Sequence, residues 1–135
     1  MDRIEFLSGR RNGKSAAARL MIYHQAAVYA AQGQNVLVLC ANIQDARMQF
    51  KELASYVPEC KAEESRLVLR MPAAGAIQFT HLGVHPDHGR GNRGMILFGH
   101  GAAPHATATE RESAAYRKWL DLAQHINPRY AVPEQ

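Results

Sequence analysis

Apolar positions fall along this chain in two patterns. Three short runs are nearly unbroken: 4–7 (Ile-Glu-Phe-Leu), 35–40 (Asn-Val-Leu-Val-Leu-Cys) and 94–98 (Gly-Met-Ile-Leu-Phe). Runs of that length without polar alternation suit strands covered on both faces of a parallel sheet. Between them the apolar residues recur at helical spacing. Ala16, Ala17, Leu20, Met21, Ala27, Val28 and Ala31 predict a helix over 15–32, with Gly33 as its C-cap. Asn42 is placed to cap a second helix over 43–56, with Gln44 and Asp45 in its first turn and Pro58 beyond its end. Thr109 is placed to cap a third, 109–126, with Glu110 and Glu112 at its start and a stripe of Ala115, Trp119, Leu122 and Ile126. Asn127-Pro128 closes it and leaves 127–135 as a tail. Segments 66–70 and 77–82 flank Pro72-Ala73-Ala74-Gly75 and predict a hairpin. Residues 83–94 form a loop rich in glycine and histidine.

Strand and helix patterns therefore alternate, which predicts an α/β domain of three layers. The expected sheet is mostly parallel, with 4–7, 35–40 and 94–98 at its centre and the hairpin as an extension. The 135 residues fit one domain, and 47% apolar content is enough for a core. A net charge of +4 mildly favours phosphate-rich partners. Cys40 and Cys60 have neither metal-site spacing nor a disulfide framework, so reduced thiols and a cytoplasmic setting are expected. The start Met1-Asp2-Arg3 leads straight into a strand without a secretory signal. The 15–32 helix, with Arg19, His24 and Gln25, is too polar to span a bilayer.

The candidate chemistry lies where the first strand meets the first helix. The segment reads Ser8-Gly9-Arg10-Arg11-Asn12-Gly13-Lys14-Ser15. It follows the phosphate-loop pattern G-x-x-x-x-G-K-[ST] except at the first position, where Ser8 replaces glycine. In such a loop backbone N–H groups cradle phosphates, the lysine reaches the β- and γ-phosphates, and the hydroxyl, here Ser15, holds Mg²⁺. The strand–loop–helix order would set a helix N-terminus against the anion. ATP with Mg²⁺ is the cofactor this pattern implies.

With these segments in hand, the order of signals resembles the N-terminal ATPase domain of the large terminase subunit of tailed phages, the DNA-packaging motor. Its phosphate loop often lacks the first glycine and carries arginine, as here. Gly75-Ala76-Ile77-Gln78-Phe79 is similar to the family's strand after the hairpin turn. Arg90-Gly91-Asn92-Arg93-Gly94, ahead of Met95-Ile96-Leu97-Phe98, is similar to the Arg-Gly element before its Walker B strand. The resemblance covers about residues 4–102, without the family's coupling motif or nuclease domain. It implies a P-loop NTPase-like fold in a phage or prophage protein, cytoplasmic in an infected or lysogenic host or associated with the virion.

One departure bears on mechanism. A terminase strand of this type ends in Asp-Glu, the acids that support Mg²⁺ and activate water. Here Gly99 and His100 stand in those places. Phosphoryl transfer needs a positioned metal and a positioned nucleophile, so the chain reads against an enzyme. His100, or an acid from elsewhere such as Glu5, Asp87 or Glu110, is the candidate base, though none of these acids sits at a Walker B position. Three readings follow: a phosphate- or nucleotide-binding protein with little or no hydrolysis, acting in regulation, assembly or the virion; a slow ATPase; or a structural or inhibitory protein in which the loop is a relic. Arg90 and Arg93 offer guanidinium forks to a phosphate backbone, so DNA joins other phage or host proteins among the expected partners. His85-Pro86-Asp87-His88 has zinc-ligand chemistry, but its spacing matches no metal motif and it reads as polar loop surface. No fixed metal is expected, nor the flanking marks of an HNH nuclease, and no membrane partner.

Overall fold

The computed structural model describes residues 11–84, 94–104 and 107–126, with 11–15 described by backbone alone. Helix α1 spans Arg11–Ala31, strand β1 Asn35–Cys40 and helix α2 Ile43–Tyr56. Strands β2 (Lys61–Glu63), β3 (Val68–Arg70), β4 (Ala76–His81) and β5 (Met95–Phe98) follow, then helix α3 (Glu110–Ile126). The strands form one sheet in the order β2-β3-β4-β1-β5. β1 pairs in parallel with β4 on one side and β5 on the other, in register Val36 with Ile77 and Met95. β2, β3 and β4 form an antiparallel meander. The sheet is therefore mixed.

β1 lies inside this sheet, and five of its six residues are buried. Its alternate side chains enter two cores, as the two-residue strand period requires. Val36, Val38 and Cys40 meet Ile22, Tyr23, Ala26 and Ala30 of α1 and Ala46, Phe50 and Leu53 of α2. Leu37 and Leu39 meet Trp119, Leu122 and Ala123 of α3, joined by Ile96 and Phe98 of β5. The result is three layers, with α1 and α2 on one face of the sheet and α3 on the other.

Local signals set most boundaries. Asn42 caps α2 by accepting the backbone N–H of Asp45 at 2.8 Å. Thr109 does the same for α3, its Oγ1 accepting from Glu112 N at 3.1 Å. The hairpin forms as expected, but its second strand is not an extension. β4 sits within the sheet against β1, while β3 and β2 carry the sheet outwards. β2 is a strand that the apolar pattern does not predict. Lys-Ala-Glu has no strand propensity of its own, and the pairing with β3 creates it, with Arg70 Nε donating to Glu63 Oε1 at 2.7 Å. α1 begins at Arg11 rather than at residue 15. Once a helix is nucleated by packing, a glycine such as Gly13 costs only about 1 kcal/mol and need not stop it. The expected strand over 4–7 and the loops carrying Arg90, Arg93, His85, Asp87 and His88 lie outside the described residues.

Two contacts fix the α1–α2 layer. Gly75, at φ +82°, closes the β3–β4 turn beneath α1, where a Cβ would clash with the Ala30 carbonyl oxygen. No other residue fits there. Between the helices, Glu52 of α2 accepts from Arg19 Nε at 2.9 Å, from Arg19 Nη2 at 3.3 Å and from the Tyr23 hydroxyl at 2.5 Å. Burial, then the Glu52 carboxylate, push the Tyr23 phenol well above its usual range. The neutral phenol is thus the form the fold favours. Its contribution is complete below the ordinary tyrosine pKa near 10 and is lost as pH rises beyond it. Urea midpoints should accordingly fall above about pH 10, and Tyr23→Phe should flatten that slope. Glu52→Ala should lower stability by about 2 kcal/mol at neutral pH, measured by urea unfolding, because it strands Arg19 and the Tyr23 hydroxyl together.

Candidate functional site

The parallel strands end on one edge of the sheet, and the helices start there. α2 leaves that edge two residues after β1, and α1 returns to the opposite edge just before β1, so the two helices run the same way. Their pairing confirms the level: Arg19 lies eight residues past the start of α1, and its partner Glu52 nine past the start of α2. The first turn of α1, with Gly13 and Lys14, therefore lies on the carboxyl-edge side of the sheet, where α2 also starts. Ser15 follows at once in the same helix. Of the expected phosphate loop, residues 11–15 are helical backbone, and Ser8, Gly9 and Arg10 lie outside the described residues. The first turn of α1 contains no acid, whereas α2 has Asp45 and α3 has Glu110 and Glu112 in theirs.

The end of β5 shows what the Gly99-His100 departure does. Gly99 N donates to Leu39 O at 2.6 Å, drawing the chain tight against β1. A Cβ at position 99 would stand 2.8 Å from the Leu39 carbonyl oxygen, 3.3 Å from Gln49 Oε1 and 3.5 Å from Cys40 Sγ. Gln49, on the inner face of α2, thus occupies the space into which an acid at 99 would project. It is 1% exposed, and its Oε1 has no hydrogen-bond partner among the described residues. Burial, aided by the Asp45 carboxylate, pushes the Cys40 thiol up to about 12, so it is an uncharged packing group. His100 lies in the turn after Gly99, half-buried. The donor set here does not fit the metal arrangement of a hydrolysing P-loop site, since no carboxylate side chain exists at 99 or 100. Among the described residues no group of three His, Cys, Asp or Glu side chains is placed to hold a metal ion.

Beside this point the edge opens into a crevice of about 770 Å³. Its walls are the turn after β1 (Ala41, Asn42), the end of β4 (His81, Leu82), the turn after β5 (Gly101 to Pro104) and the first turns of α2 and α3. Leu82 N donates to Cys40 O at 3.1 Å, and Trp119 Nε1 donates to Val84 O at 2.9 Å, which anchors the β4 exit to β1 and α3. His81 Nδ1 accepts from Gly83 N at 3.1 Å. No stretch of the sequence reveals this crevice. The residues forming it lie far apart in the chain and share no motif.

No helix among the described residues is long and apolar enough to cross a membrane. Comparison of the chain with protein-family models, curated proteins and solved structures found no match.

Position 99 should therefore resist an acid. Gly99→Ala should cost about 1–3 kcal/mol through overpacking against Leu39 O. Gly99→Asp should cost more, because it presses a buried carboxylate against two acceptors. Urea unfolding of both variants measures this, and restoring Asp-Glu at 99–100 should not by itself produce an ATPase.

Proposed function

We propose that this protein binds a nucleotide or another phosphate-bearing ligand at the N-terminal turn of α1 and hydrolyses it slowly or not at all. The observation that carries the reading is the placement of Gly13-Lys14-Ser15. This portion of the phosphate-loop pattern opens a 21-residue helix at the carboxyl edge of a parallel strand pair. At such a position free backbone N–H groups and the helix dipole favour an anion. In the phosphate-loop pattern Lys14 would supply the charge and Ser15 the hydroxyl that meets a nucleotide's Mg²⁺.

Slow turnover follows from the same edge. Catalysis would require a metal held in line and a base aimed at water. Gly99 offers no side chain, and the space in front of it holds Gln49. A protein that binds phosphate without cleaving it suits regulation or assembly, where ligand occupancy itself is the signal. The terminase-like order of motifs supports a phage setting for that role, with DNA or a phage protein as partner.

Calorimetric titration with ATP, GTP and inorganic phosphate tests the reading. Wild type should bind at least one of them, and Lys14→Ala should weaken that binding about tenfold or more, as loss of a charged hydrogen bond does. Equal binding by both proteins, or by neither, would leave the loop a relic. Turnover above roughly 1 per second, an ordinary enzyme rate, would overturn the slow-hydrolysis half and make His100→Ala the next variant.

A further inference from the structure

The crevice is not used by the reading above, and its position and chemistry point to a second ligand. β1 and β5 are adjacent and parallel, yet the chain leaves them towards opposite faces. From Cys40 it passes to α2 in one layer, and from Phe98 to α3 in the other. Where neighbouring connections diverge in this way, a gap opens over the carboxyl ends of the strands, and open α/β sheets bind ligands there. The volume of about 770 Å³ is that of a small-molecule site.

The side chains around it sort by what they are already doing. Asp45 and Glu112 stand in first turns, where their charges answer the helix dipoles, and Glu112 Oε1 also accepts from the Thr109 hydroxyl. The helix ends therefore do not by themselves call for an anion. Two donors remain. Arg111 lines the crevice, with no carboxylate in salt-bridge contact among the described residues. His81 takes the Gly83 N–H on Nδ1, so its neutral ring carries the proton on Nε2 as a donor. Ile43, Leu82 and Pro104 supply an apolar surface.

We propose that the crevice between α2 and α3 binds a small molecule with an apolar body and one carboxylate or phosphate group. The anionic group pairs with the Arg111 guanidinium, which suits either oxyanion as a two-pronged donor, and with His81 Nε2–H. The apolar body lies on Leu82 and Pro104. This site is separate from the Lys14 turn and stands or falls without it.

Amide NMR titration of the full chain tests the proposal with four probes: phenyl phosphate, benzoate, benzyl alcohol and inorganic phosphate. Phenyl phosphate or benzoate should shift amides in 41–45, 81–83, 101–104 and 111–115, and the tighter of the two identifies the oxyanion. Benzyl alcohol, lacking the charge, and inorganic phosphate, lacking the body, should shift these amides far less. Arg111→Ala should weaken the binding about tenfold. Arg111 is exposed, so the melting temperature of that variant should match wild type. Lys14→Ala should leave the crevice titration unchanged. The proposal is overturned if these amides do not respond, if benzyl alcohol binds as well, or if Arg111→Ala has no effect. Loss of the response in Lys14→Ala would also overturn it, while assigning the anion to the α1 turn and sparing the nucleotide reading.

Discussion

A strand hydrogen-bonded along both edges and covered on both faces has no freedom to slide. β1 is in that state: β4 and β5 hold its edges, α1 and α2 cover one face, and α3 covers the other. A shift of one residue would exchange the two faces and send Val38 where Leu39 belongs. The register of β1 therefore fixes the height of every element packed on it. The carboxyl edge inherits this order. Cys40 O receives Leu82, Leu39 O receives Gly99, and the turns leaving β1, β4 and β5 meet at a common level.

That order makes the edge crowded at one point and open beside it. At Gly99 the backbone hydrogen bond to β1 and the Gln49 side chain leave no room for a β-carbon. A few residues on, the β5 connection swings to the α3 face while the β1 connection goes to the α2 face, and the gap between them is the crevice. The same packing thus works against one kind of chemistry, hydrolysis supported by an acid at 99, and leaves space for binding. The Gln49 carbonyl, buried without a hydrogen-bond partner among the described residues, carries a cost of order 1–3 kcal/mol, as an unsatisfied acceptor does.

Much of this architecture was legible because it rests on local signals. The apolar run at 35–40 and the cap of the helix at 43–56 each depend on residues within a few positions, and both appear at the expected bounds. Thr109 and the Trp119 stripe are similar cases. What was missed depends on distant partners. Lys61–Glu63 is a strand because β3 lies beside it, and the hairpin strand β4 lies inside the sheet because β1 selects it. The crevice is assembled from segments spread between residues 41 and 115, so no window of sequence contains it. For the candidate site, the motif Gly13-Lys14-Ser15 was visible from spacing alone. The tightness around Gly99 was not, since only the fold brings Gln49 and Leu39 to it.

The close approach of Gly75 to Ala30 also governs where the chain can be altered without disturbing the fold. The 71–75 turn is held by its own backbone pairing, Met71 N to Gly75 O, and wedged under the last turn of α1. An inserted peptide there would lever α1 away from the sheet. On the far side of the same meander, Glu64, Ser65 and Arg66 are exposed and connect two short outer strands. A fluorescent label, an affinity tag or a fusion partner joined at Ser65 would hang from the outer rim of the meander and leave the 71–75 turn under α1 undisturbed.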